Sequence, residues 1–149
     1  MLVLSISLLC LPSSLKAQSI AANAGRAAEG DSVWVVINHV KPDKQAQFER
    51  FVYEIFWPGA AKLDKNAQRA FAHTRVLRPA TAEDDGTYTY IFLMDPIIPG
   101  EEYWIDNLLK KMYSADKAAA YFKMFTESLA RDGSSYRMLQ SRVGGASKK

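Results

Sequence analysis

Two runs of this sequence form strands that are apolar on both faces, and this pattern limits what the chain can fold into. Residues 33–40 read Val-Trp-Val-Val-Ile-Asn-His-Val, and residues 87–94 read Thr-Tyr-Thr-Tyr-Ile-Phe-Leu-Met. Successive side chains of a strand point to opposite faces. In the first run Trp34, Val36 and Asn38 oppose Val33, Val35, Ile37 and His39. In the second, Tyr88, Tyr90, Phe92 and Met94 alternate with Thr89, Ile91, Leu93 and Asp95. An antiparallel sheet usually has one dry face and one wet face. Helices on one side of this sheet would leave the other side as an apolar patch in water. A second copy of the sheet packed on that patch resolves the conflict, so a homodimer is expected. Cover by the N-terminal segment or by loops is the alternative, and the pattern does not say which face lies inside.

The remaining elements follow from punctuation and periodicity. Lys41-Pro42-Asp43 ends the first strand and opens a helix, in which Pro suits the first turn and Asp43 can cap. Phe48, Phe51, Val52, Ile55 and Phe56 recur at helical spacing, and Trp57-Pro58-Gly59 breaks or kinks that helix. Residues 69–78 read as a second strand. The turn Glu83-Asp84-Asp85-Gly86 returns the chain as a hairpin into the third. A helical stretch covers 101–131, with a break at Tyr113-Ser114, where Ser114 can cap a second segment. Residues 135–143 form the last strand. The order strand, helix, strand, strand, helix, strand predicts an α+β, ferredoxin-like βαββαβ sandwich: a four-stranded antiparallel sheet with its helices on one face.

At 149 residues the chain is one domain in length. The apolar run 2–11 is too short for a bilayer span, which takes ~20 residues, and it suits the core of a secretory signal. The organisation read from this is a signal or leader over 1–24, a flexible leader over 25–31, the folded domain over 32–143 and a tail over 144–149. The expected location is periplasmic or secreted. The single cysteine, Cys10, lies in the leader, so the mature chain has no thiol chemistry. A net charge of +3 gives no argument for nucleic acid. Two histidines and one cysteine rule out a three-His or Cys-rich metal site, and no metal or cofactor is expected.

His39 and His73 are the imidazoles available for acid–base chemistry near neutral pH. On the strand reading, His73 shares a face with Arg75, and that pair could fix a substrate carboxylate or enolate. A structural histidine and an ion-paired arginine are the plain alternatives. Trp34, Tyr88, Tyr90, Phe92 and Tyr136 form an aromatic set that suits an apolar ligand pocket, or equally the dry core of a dimer. The acidic turn 83–85 and the lysines of 110–123 read as solvated surface.

The element order, with Trp34-Val-Val-Ile-Asn-His-Val-Lys-Pro-Asp43 running from strand into helix, resembles the dimeric α+β barrels over residues 32–143. These include antibiotic-biosynthesis-type monooxygenases, muconolactone-isomerase-like proteins, stress-responsive barrels and haem-degrading monooxygenases. The resemblance implies a site for a small apolar or aromatic molecule, and in some members its oxidation without metal or cofactor. It adds Asn38 to His73 and Arg75 as a catalytic candidate, because haem-degrading members carry an asparagine late in the first strand. Those members also hold iron through a histidine on the second long helix, and residues 103–131 contain none. Three functions therefore stand as expectations: a ligand-binding, monooxygenase-like barrel; a non-catalytic dimeric barrel; and a haem-binding or haem-degrading barrel.

Overall fold

In the computed structural model, residues 25–142 are described. The expected signal over 1–24 and the tail over 144–149 lie outside that range. Four strands form one antiparallel sheet: β1 (Ser32–Val40), β2 (Thr74–Leu77), β3 (Tyr88–Met94) and β4 (Ser134–Leu139), in the order β2-β3-β1-β4. The β-branched and aromatic runs occupy the two central strands, β1 and β3, whose register pairs Trp34 with Met94, Val36 with Phe92 and Asn38 with Tyr90. This is the strand order of a ferredoxin-like sandwich. The helices α1 (Gln45–Arg50), α2 (Lys65–Ala72), α3 (Ile105–Met112) and α4 (Ala115–Ser128) fill the connections.

The first crossover departs from the sequence reading in two places. A π-helical segment, Phe51–Phe56, follows α1, and a short α turn, Trp57–Gly59, continues it. Pro58 has no N–H to donate to the carbonyl four residues back, and the helix widens just before it instead of ending. The Trp57 N–H donates to the Val52 carbonyl, five residues back. The wide turn keeps Phe51, Val52, Ile55 and Phe56 all buried. Second, residues 65–72 are helical, so β2 begins only at Thr74. The missed signal is Asp64, whose carboxylate caps α2 by accepting from the Asn66 and Ala67 N–H groups at 2.9 and 3.0 Å. By contrast, neither Asp43 nor Ser114 makes a side-chain cap. The break between α3 and α4 does fall at Tyr113-Ser114.

One sheet face carries the core. Trp34, Asn38, Val40, Tyr90, Phe92 and Met94 are buried under the helices, with Phe48, Phe51, Phe56, Leu108, Leu109 and Phe125 packed on them. The register puts Val33, Val35, Ile37, Ile91, Leu93, Leu77, Tyr136 and Met138 on the opposite face. No described element covers that face, and Tyr136 and Met138 are 54% and 56% exposed. No helix among the described residues is long and apolar enough to cross a membrane.

Candidate functional site

Between the sheet and the helices lies a cavity of about 410 Å³. Trp34, Val36, Asn38, Phe92 and Met94 form its sheet wall, and Phe56, Trp57, Phe71, Leu108 and Phe125 its helical wall. Phe56, Trp57 and Phe71 pack edge-on or tilted against one another at 5.2–6.0 Å between ring centroids. These three residues were not among the sequence candidates. The π segment and α2 bring them together, and no single-strand periodicity carries that information.

The mouth is built by the loop into α3. The Glu102 carboxylate accepts from the backbone N–H groups of Tyr103 and Trp104 at 2.9 and 2.8 Å and from Asn107 Nδ2 at 2.9 Å. The Trp104 N–H bond is the main reason its carboxyl titrates below the ordinary glutamate range. Glu102 thereby fixes Trp104, which lines the cavity yet is 62% exposed. Trp104 and Tyr103 both meet Trp34 edge to face, at 5.5 and 6.0 Å. The Tyr103 hydroxyl accepts from the Ile98 N–H at 2.8 Å, and burial raises its pKa.

Asn38 is the buried polar residue of the sheet wall. It is 3% exposed, and its Nδ2 has no hydrogen-bond partner. An unpaired buried amide donor costs about 1–3 kcal/mol. Gly133, Ser134 and Ser135 line the cavity beside it. Gly133 is required there, because a Cβ at this position would stand 2.7 Å from the Ile37 carbonyl oxygen.

The sequence candidates separate by face. Trp34, Asn38 and Phe92 line the cavity. Tyr88 and Tyr90 share that sheet face but lie outside the lining. Tyr90 is fully buried and donates to Glu49 at 2.6 Å, and burial first, then Glu49, pushes its pKa up to about 12. Tyr136 pairs with Val35 and therefore points from the opposite face. His73 and Arg75 are not neighbours on one strand. His73 ends α2, and Arg75 projects from the open face into an ion pair with Asp95. Neither lines the cavity. His39 stands at the far end of the open face, where Arg131 and Thr89 contact its Nδ1 at 3.0 and 3.2 Å.

The lining contains no histidine or cysteine, and no cluster among the described residues could hold a metal ion. Tyr113 and Tyr121 are packing residues: Tyr113 donates to the Ile55 carbonyl at 2.7 Å and meets Tyr121 edge-on at 4.9 Å. The residues present do not fit a haem held through an imidazole.

No protein-family profile matches the chain, and no curated protein matches it. A solved structure does: a candidate antibiotic biosynthesis monooxygenase from Caulobacter crescentus CB15. It is 16% identical, with 76% of this chain and 92% of that chain covered and a TM-score of 0.42. The chain has a ferredoxin-like α+β fold. That assignment rests on the strand order itself.

Proposed function

We propose that this protein binds a small aromatic molecule bearing a ring oxygen in the helix-side cavity and acts as a monooxygenase-like barrel. The observation that carries the reading is the unpartnered Asn38 amide in the wall of an otherwise apolar, aromatic cavity. At about 410 Å³ the cavity is in the size range of small-molecule sites, roughly 300–1,000 Å³. Apolar walls supply affinity, and one well-placed donor fixes orientation. A phenol or phenolate oxygen on Asn38 Nδ2 holds the ring in one pose while dioxygen takes electrons from it. A purely structural barrel calls for a filled interior, and this cavity counts against it.

The same reading includes two proposals about context. The uncovered apolar face joins two copies of the chain sheet to sheet, and the apolar segment 2–11 directs export.

Aerobic incubation with 1-naphthol tests the chemistry. One naphthol and one dioxygen balance to 1,4-naphthoquinone and one water, so no outside reductant is needed. Oxygen uptake matched by quinone formation is expected in the wild type. Asn38→Leu should lose it and fold at least as stably, because the substitution removes an unpaired buried amide. Absent turnover, with 1-naphthol binding no tighter to the wild type than to Asn38→Leu, would contradict the reading.

A further inference from the structure

Arg75, the sequence candidate for holding a substrate carboxylate, is on the open face and already paired with Asp95. Arg137 is placed for it. It pairs across the sheet with Trp34, two residues along β4 from Ser135, which pairs with Val36. Trp34, Val36 and Ser135 all line the cavity, so Arg137 stands on the cavity side of the sheet, beside the lining and not in it. Its guanidinium lies over the Trp34 ring, 4.8 Å from the centroid. Trp34 is thus held between Arg137 and the Tyr103–Trp104 edge contacts, at the cavity mouth.

Arg50, Arg75, Arg131 and Arg142 each have a carboxylate partner; among the described residues Arg137, like Arg26, Arg69 and Arg78, has none. The cavity walls hold no cation, and their one acidic side chain, Asp106, is engaged by Lys110 at 3.1 Å. A planar guanidinium stacked on an indole is pre-organised to take an oxyanion side-on. It also lies on the face away from the open sheet surface, so sheet-to-sheet pairing of two copies leaves it free.

From this placement we infer that the ligand is an aromatic acid, with its ring buried in the cavity and its anionic group held by Arg137 at the rim. The inference rests on the cavity being a ligand site, and a matched probe pair separates the two claims. N-phenyl-1-naphthylamine is uncharged, and 8-anilinonaphthalene-1-sulfonate is the same skeleton with one sulfonate. Fluorescence titration of the full chain should show both probes binding, each displacing the other. Arg137→Gln should weaken the sulfonate about tenfold, the loss of one charge-assisted hydrogen bond, and change the uncharged probe by less than about twofold. Equal effects on both probes, or none on either, would overturn the rim site and leave the cavity reading intact. A sulfonate that the uncharged probe cannot displace binds elsewhere and overturns it too. Failure of both probes to bind would remove the cavity reading itself.

Discussion

At the scale of single residues, the site depends on what two small groups leave undone. Asn38 leaves a donor unpaired, and Gly133 leaves room for the Ile37 carbonyl. A methyl group at 133 meets backbone, which cannot swing aside as a side chain can. Gly133→Ala should therefore cost about 1–3 kcal/mol and shift β4 relative to β1. Thermal unfolding checks it; an unchanged midpoint would mean that the loop into β4 relaxes freely. Asn38 was visible in the sequence as a polar residue on an apolar strand face. Nothing adjacent to Gly133 in the sequence singles it out, because the contact that demands it comes from Ile37, nearly a hundred positions away.

At the scale of elements, the hairpin between β2 and β3 is anchored from outside by one carboxylate. Asp85 accepts from the Thr87 hydroxyl at 2.6 Å, from the Thr87 N–H at 3.0 Å and from Arg131 at 2.8 Å. The Thr87 hydroxyl and then Arg131 hold its carboxyl well below the usual aspartate range. A depressed folded pKa stabilises the fold above the unfolded value of about 4, and that share is lost as pH falls through the folded value. Urea midpoints followed from pH ~7 to ~2 should fall more steeply in the wild type than in Asp85→Asn, which starts lower at neutral pH. Parallel curves would show that Asp85 carries none of the acid sensitivity. The tight Asp-Gly turn was legible, because local turn chemistry is written in adjacent residues. The helix over 65–72 was not, because Arg69 to Arg78 has enough apolar and β-compatible residues to mimic a strand. The decision lay with the Asp64 cap before it.

At the scale of the whole molecule, the two apolar faces of one sheet have different surroundings. The helix-side face closes over a cavity, and the opposite face stays open. The sequence showed that both faces were apolar, and the strand order it implied was the one observed. It could not divide the aromatic candidates between the faces, because register is set by pairing across the sheet. Tyr136 went to the open side and Trp34 to the cavity for that reason. Ile91 pairs with Ile37 on the open face and is not part of the cavity lining. On the proposed sheet-to-sheet pairing, Ile91→Lys should separate two copies while leaving the proposed ligand site in place. Native mass spectrometry of the full chain with added 1-naphthol tests this division of labour most directly. The account predicts two-chain ions carrying up to two naphthol molecules, and single-chain ions of Ile91→Lys that still carry one. Single-chain ions of the wild type, or ions that stay free of naphthol as its concentration rises, would contradict it.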